Sequence, residues 1–162
     1  MQDIEKIYNE HFQMVFKYVF CMTSDSDLSE ELTQETFYQA IKTYDNFRGD
    51  SKVSTWLCQI AKNLWRKEYK RRKQHDALPI DALSDEIPCR ENIEQEIWDG
   101  QSKLDLYKRI QNLDEKMREV MYLRLTGELS FREIGEILKK NETWARVTFY
   151  RGKQRMVKEE WE

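Results

Sequence analysis

The feature that most constrains this chain is a helical spacing of apolar residues along most of its length. Over residues 3–22, for example, isoleucine, tyrosine, phenylalanine and valine recur three or four positions apart, which places them on one face of a helix. Residues that break helices are scarce, because the 162 residues include only five glycines and two prolines. The pattern therefore predicts an all-α fold built from amphipathic helices.

Turn-forming residues divide the first part of the chain into three predicted helices. The sequence SDSD at 24–27 supplies a turn and a helix cap, and DNFRGDS at 45–51 supplies a second break. Three amphipathic helices can bury a common core, so we predict a helical domain over residues 1–75. In its second helix we expect these residues to face inward: Leu28, Leu32, Phe37, Ala40, Ile41 and Tyr44. In its third helix we expect this outer face: Lys62, Asn63, Arg66, Lys67 and Lys70.

Residues 104–162 carry the pattern of a helix-turn-helix. Ser130 and Glu133 have the spacing of a capping box, in which each side chain accepts a hydrogen bond from the other residue's backbone N–H. Two lysines and an asparagine at 139–141 form a short predicted turn, and the helix that follows, to about Met156, is basic. This arrangement is typical of proteins whose second helix enters the major groove of DNA. Two earlier helices are predicted over 104–113 and from a cap at Asp114 to about residue 126.

Residues 76–103 separate these two parts of the chain. They contain both prolines, little helical periodicity and, through residue 100, eight acidic side chains against one arginine. A loop of this length without structure of its own is uncommon inside one compact domain. We therefore predict two small helical domains, 1–75 and 104–162, joined by an acidic linker at 76–103.

Charge is distributed in blocks, although the formal net charge of the whole chain is only −3. Residues 51–75 carry eight basic side chains against one acidic, and residues 139–158 carry seven against one. Both basic stretches are interleaved with aromatic residues. Cations bind phosphates and aromatic rings stack on bases, so the mixture favours nucleic-acid binding. For each stretch taken alone, a solvated basic helix face stays the simpler alternative.

Several classes of site have no signal in the sequence. The two histidines are far apart, no Cys/His cluster has metal-ligand spacing, and no phosphate loop or nucleophile motif occurs. We therefore expect no metal, no cofactor and no catalytic residue, and we do not expect an enzyme. Three widely spaced cysteines predict reduced thiols. Because no apolar stretch suits a membrane span or a secretory signal, we expect a soluble, cytoplasmic protein.

Three stretches resemble a known family: SEELTQETF at 29–37, FRGDSKVSTWLCQIAKN at 47–63 and LSFREIGEILKKNETWARVTFYRGKQRM at 129–156. In this order and separation they resemble bacterial RNA polymerase sigma factors of the extracytoplasmic function group. The resemblance implies a region 2 type helical domain that holds core RNA polymerase and opens the −10 element of promoter DNA. It also implies a region 4 type helix-turn-helix domain that reads the −35 element as duplex, and a cognate anti-sigma protein as a partner.

The resemblance also implies roles for single residues of this sequence. Glu31, Gln34 and Glu35 match the surface that docks on the large catalytic subunit of the polymerase. The chain departs from the family at Trp144, Thr148 and Lys139, the last of which stands where a glycine is common in the turn. The residues expected at the −10 element are Phe47, Lys52, Lys62, Asn63 and Arg66. The residues expected at the −35 element are Arg146, Val147, Tyr150 and Arg151.

Two other functions stay open on the sequence. A stand-alone helix-turn-helix transcription regulator would bind DNA through its C-terminal part and use the N-terminal part for dimerisation or sensing. A helical adaptor would bind only proteins. The stretch FRGDSKVSTW and the basic helix that it begins favour the sigma factor, because a protein that binds only duplex DNA does not need them.

Overall fold

The structure is a computed structural model that describes residues 2–75, 106 and 108–160, and this part of the chain contains helices and no strand. The all-α prediction is therefore confirmed for the described residues. The chain divides into two compact units, Met1–Glu91 and Asn92–Glu162. The helices are α1 (Gln2–Thr23), α2 (Ser26–Thr43), α3 (Val53–His75), α4 (Glu115–Leu125), α5 (Phe131–Leu138) and α6 (Glu142–Glu160), and a 3-10 turn occupies Tyr44–Asn46.

The predicted acidic linker at 76–103 lies outside the described residues. Of the helix predicted over 104–113, residues 106 and 108–113 are described, and 106 and 108–111 are helical. The domain boundaries 1–75 and 104–162 therefore stay predictions.

In the first unit, α1, α2 and α3 pack against one another as a three-helix bundle. Val15 of α1 and Leu57 of α3 are fully buried, and the ring of Phe37 on α2 meets an aromatic row on α1. The carboxylate of Asp25 accepts a hydrogen bond from the Leu28 N–H at 3.1 Å, which caps α2. The SDSD turn thus begins the second helix as the sequence predicts.

The inward face predicted for α2 is correct except near its end. Ala40 is buried, whereas Ile41 is 51% exposed, so the inward placement of Ile41 is wrong. Successive residues of a helix lie about 100° apart around its axis, because one turn contains about 3.6 residues. Ala40 takes the position that faces the bundle, and its neighbour is consequently turned toward the surface.

In the second unit, α4, α5 and α6 each begin at a side-chain cap. Asp114 accepts a hydrogen bond at 3.0 Å from the backbone N–H three residues later, and Asn141 accepts the equivalent bond at 2.7 Å. Ser130 and Glu133 make both bonds of the predicted capping box, at 3.1 and 3.0 Å. A cap of this kind contributes about 1 kcal/mol, so the local sequence alone places the starts of these helices.

The chain turns tightly between α5 and α6. Lys139 ends α5 in the left-handed region at φ 58°, a conformation that favours glycine. A Cβ at Gly135 would stand 2.6 Å from the carbonyl oxygen of Lys140, so the turn requires glycine at that position. On α6, a Cβ at Gly152 would stand 2.8 Å from the sulfur of Met121. Both glycines therefore allow α6 to lie close to its neighbours.

The two cysteines in the described residues, Cys21 and Cys58, are buried and unbridged. Burial raises the pKa of the Cys58 thiol, whose Sγ lies 3.6 Å from the Sδ of Met14. The third cysteine, Cys89, lies outside the described residues. Of the helices that the structure describes, none combines the length and the apolar character needed to cross a membrane.

Candidate nucleic-acid interface

The loop before α3 stands on a stacked pair of aromatic rings. The ring centroids of Phe47 and Trp56 lie 4.5 Å apart at an interplanar angle of 24°. Gly49 adopts φ 77°, and a Cβ built there would meet nothing within 4 Å, so the tip of the loop is open. Phe47 is half-buried by this stack, whereas Lys52 is exposed. The two rings thus hold the base of the loop and leave its tip accessible.

Along α3, a polar edge is exposed after the loop. Asn63 is exposed, and its side-chain oxygen accepts a hydrogen bond from Nη1 of Arg66 at 3.1 Å. Lys67 and Lys70 are also exposed. The structure therefore places the predicted Asn63 and Arg66 together on the surface of one helix.

Lys62 is buried on the bundle side of α3, so its placement on the outer face is wrong. The residue is only 7% exposed. It follows Cys58 by four positions and precedes Trp65 by three, and this spacing places all three on the stripe that faces the bundle. Trp65 is 4% exposed and meets the ring of Tyr69 edge-on at 5.6 Å. Contact of Lys62 with DNA stays a prediction, and it would require the side chain to leave this position.

The basic end of α3 is partly neutralised by its one acidic residue. Glu68 contacts Arg71 at 2.6 Å and Arg72 at 3.0 Å. The hydrogen bond from Arg71 lowers the pKa of Glu68, the bond from Arg72 acts in the same direction, and burial opposes both. Two cations of this run are thus held within the helix, so its formal charge overstates the charge that it offers to a phosphate.

The last helix, α6, divides cleanly into a buried and an exposed face. Val147 is 41% exposed and Tyr150 is 54% exposed, and Arg146 and Arg151 lie on the same exposed side. The structure therefore brings the four predicted −35 residues together on one surface. The buried face consists of Ala145, Thr148, Phe149, Gly152 and Met156.

Arg146 is held by two neighbouring side chains. Its Nη2 lies 3.1 Å from Oε1 of Glu142, and its guanidinium carbon lies 5.5 Å from the ring centroid of Phe131. On the α4 side, the guanidinium carbon of Arg124 lies 4.3 Å from the same ring centroid. Arg124 also donates a hydrogen bond to the carbonyl oxygen of Leu129 at 3.0 Å. One ring therefore contacts a cation from α4 and a cation from α6.

The predicted polymerase-docking residues lie on one side of α2. Glu31 and Gln34 are exposed, and Glu35 is half-buried with its carboxylate accepting a hydrogen bond at 2.8 Å from a glutamine one turn later. Tyr38 and Ile41 are 56% and 51% exposed. Their spacing continues the same side of the helix, which therefore combines carboxylates and an amide with exposed apolar surface.

Comparison with known proteins gives two family matches in chain order. Sigma-70 region 2 matches residues 7–75, and sigma-70 region 4 matches residues 103–156. The ECF RNA polymerase sigma factor SigM of Bacillus subtilis strain 168 is 27% identical over 156 residues, covering 94% of this chain and 92% of SigM. The chain belongs to the extracytoplasmic function group of sigma factors.

Two further similarities extend over most of the sigma factor. RNA polymerase sigma factor YlaC of Bacillus subtilis strain 168 is 27% identical over 163 residues, covering 96% of this chain and 90% of YlaC. Among solved structures, the sigma factor RpoE in complex with the anti-sigma factor NepR from Bartonella quintana has a TM-score of 0.72 at 17% identity, covering 96% of this chain and 95% of RpoE. At this identity the structural likeness shows a common fold.

Sequence reasoning missed residues in two places on this sigma factor. The spacing of seven residues from Gln34 could have placed Ile41 on the surface, and the spacing of four could have paired Glu142 with Arg146. Nothing in the sequence indicates that Phe131 contacts Arg146, because that contact joins two helices.

Proposed function

We propose that this sigma factor joins core RNA polymerase and directs it to promoters. In this proposal α6 reads the −35 element as duplex, and the loop before α3 captures the separated −10 strand. The observation that carries the proposal is the exposed row of Arg146, Val147, Tyr150 and Arg151 on a helix whose opposite face is buried. The chain supplies binding energy and selectivity, and the polymerase supplies the chemistry.

The exposed row of α6 suits the major groove. Arginine can donate two hydrogen bonds to one guanine, and an exposed apolar side chain such as Val147 can contact a thymine methyl group. A well-formed bidentate pair discriminates against the wrong base by about 1–3 kcal/mol. We assign Arg146 and Arg151 to base edges or phosphates of the −35 element, and Val147 and Tyr150 to the surface between them.

Strand capture must offset the cost of opening the duplex. Stacking contributes about 1.4 kcal/mol per base-pair step, and a protein without a fuel can offset that loss only by binding the separated strand better than the duplex. We assign the exposed Asn63 to hydrogen bonds with an unstacked base, and Lys52 and Arg66 to the backbone of the strand. Phe47, stacked on Trp56, supports the loop that holds the base.

We assign the exposed side of α2 to the polymerase. Carboxylates and an amide at Glu31, Gln34 and Glu35 suit a partner surface rich in arginine. The neighbouring Tyr38 and Ile41 add exposed apolar area that such a contact would bury. We also propose that an anti-sigma protein restrains this chain, since the structurally similar RpoE forms a complex with the anti-sigma factor NepR.

We propose that the two parts act as separate domains, 1–75 and 104–162, joined by the acidic linker at 76–103. The family matches at 7–75 and 103–156 support this division. Elements roughly 20 base pairs apart are separated by about 70 Å at about 3.4 Å per pair. A linker of 28 residues spans about 90 Å when extended, so it can reach between them. Limited proteolysis is expected to cut first within 76–103.

Transcription in vitro tests the proposed function. Purified chain and core RNA polymerase, incubated with genomic fragments, are expected to produce RNA from defined start sites only when both proteins are present. RNA that depends on a second sigma factor would instead indicate the stand-alone regulator. The absence of any promoter-specific RNA would indicate the helical adaptor, and either result overturns the proposal.

A further inference from the structure

A cluster of four side chains connects the proposed reading helix α6 to the rest of its unit. Phe131 of α5 lies at its centre, with the guanidinium carbons of Arg124 and Arg146 at 4.3 and 5.5 Å from the ring centroid. Glu142 completes the cluster at 3.1 Å from Arg146. Both distances to the ring lie within the range of about 6 Å for a cation–π contact. The cluster therefore joins all three helices of the helix-turn-helix unit.

The ring of Phe131 has two further contacts besides Arg146. Arg124 is anchored by its hydrogen bond to the carbonyl oxygen of Leu129 at 3.0 Å. The ring also meets Phe149, a buried residue of α6, at a centroid distance of 5.5 Å. Phe131 can therefore act as a fixed surface against which the side chain of Arg146 rests.

Glu142 has a position that needs an explanation. Its side chain is 52% exposed, on the same helical stripe as Arg146 and Tyr150. A carboxylate on a surface that meets DNA is repelled by the phosphates, so it weakens binding unless it contributes in another way. Its contact with Arg146 indicates that contribution. An arginine held by both Glu142 and Phe131 can donate hydrogen bonds to fewer acceptors on DNA than one that rotates freely.

We propose that Phe131 and Glu142 are positioning residues that hold Arg146 toward a single base of the −35 element. They set the base preference at that position, and Glu142 at the same time lowers affinity for duplex of any sequence. The inference deepens the proposed function and rests on the reading of duplex DNA by α6.

The test measures base preference position by position. The full chain, bound to core polymerase, selects from duplexes randomised across the −35 region, and the Arg146→Ala variant identifies the position that Arg146 reads. Glu142→Gln is expected to reduce the preference at that position about two- to fivefold and to raise binding to unrelated duplex. Phe131→Leu is expected to give a similar reduction, and Phe131→Tyr, which keeps the ring, is expected to retain the preference of the parent.

The chain offers a matched control on α5. Glu136 pairs with Arg132 at 3.7 Å with the same four-residue separation. Glu136→Gln removes the same charge from the same unit, and it is expected to leave the base preference unchanged at every position. If Phe131→Leu fails to fold in a thermal unfolding assay, Glu142→Gln against this control decides the result.

The outcomes separate the inference from the proposed function. The positioning role is overturned if Glu142→Gln and Phe131→Leu leave the base preference unchanged or reduce it equally at all positions. In that case, a loss of preference at a single position in Arg146→Ala still supports the reading of the −35 element by α6. If no variant alters any preference, Arg146→Ala included, Arg146 reads no base and the inference is overturned, whereas the reading of the −35 element by α6 is overturned only if Arg151→Ala also leaves duplex binding unchanged.

Discussion

The two basic helices, α3 and α6, both interleave cations with aromatic rings, but Trp65 and Tyr150 have opposite environments. On α3, Trp65 is 4% exposed and fills the bundle, whereas Tyr150 on α6 is 54% exposed. α6 packs on its neighbours through small residues such as Ala145 and Gly152 and through the ring of Phe149, and it leaves Tyr150 on its outer side. A run of cationic and aromatic residues therefore indicates a protein helix that binds nucleic acid, but it does not show which aromatic ring is available to stack on a base.

The largest contrast between the two helices is expected in stability. Trp65→Ala should lower the free energy of unfolding of the first unit by about 3–5 kcal/mol, because it removes a large buried side chain. Tyr150→Ala should change the stability of the second unit by less than about 0.5 kcal/mol, because the ring is mostly exposed. Denaturant unfolding followed by circular dichroism measures both changes. Losses of equal size would contradict the contrast.

Binding assays should separate the two helices by the form of DNA that each one holds. Arg151→Ala should weaken binding of a −35 duplex by about 1–3 kcal/mol if the residue contacts a base edge. Asn63→Ala should leave that binding unchanged and impair opening, since the lost hydrogen bonds contribute about 0.5–1.5 kcal/mol each. Fluorescence anisotropy and permanganate reactivity at the −10 element measure the two steps. Normal opening by Asn63→Ala would remove that residue from the site.

The backbone that leads into each helix offers a finer comparison. Each helix is preceded by a residue of positive φ, Gly49 at 77° before α3 and Lys139 at 58° before α6. Gly49→Ala should destabilise the first unit by about 1 kcal/mol, because a side chain in the left-handed region costs about 1–2 kcal/mol. Lys139→Gly should stabilise the second unit by up to about 1 kcal/mol. Thermal unfolding checks the signs, and effects of the same sign would count against this account.

The smallest expected effect concerns the acids that pair with arginine on each helix. The lowered pKa of Glu68 means that its carboxylate stabilises the first unit above the ordinary carboxyl pKa of about 4.3. That contribution is lost as the pH falls through the lower folded-state pKa. Glu68→Gln should therefore cost less than about 1 kcal/mol at neutral pH, and the difference from the parent should shrink in acid.

Unfolding of parent and Glu68→Gln across the acidic range measures this difference. Glu142→Gln on α6 is the comparison, because Glu142 pairs with one arginine and is half exposed, whereas Glu68 pairs with two arginines and its side chain is 20% exposed. We expect the smaller loss of stability in Glu142→Gln. A difference from the parent that grows in acid would contradict the role given to Glu68.

Local features of the fold could be predicted from the sequence with little error. The caps at Asp25, Asp114 and Ser130 were correct, because a cap joins a side chain to a backbone N–H two or three residues away. The four α6 residues that the resemblance named share one exposed side, which is consistent with their helical spacing. The DNA contacts assigned to that row stay predictions, because they involve a partner.

By itself, the sequence determined the helices, their caps and the row of side chains on α6. Only the tertiary structure decided that Lys62 and Trp65 are buried, that Ile41 is exposed, and that Phe131 meets Arg146. The physical reason is the range of the interactions. Capping and helical spacing join residues three or four positions apart, whereas burial depends on the surfaces that neighbouring helices present to one another.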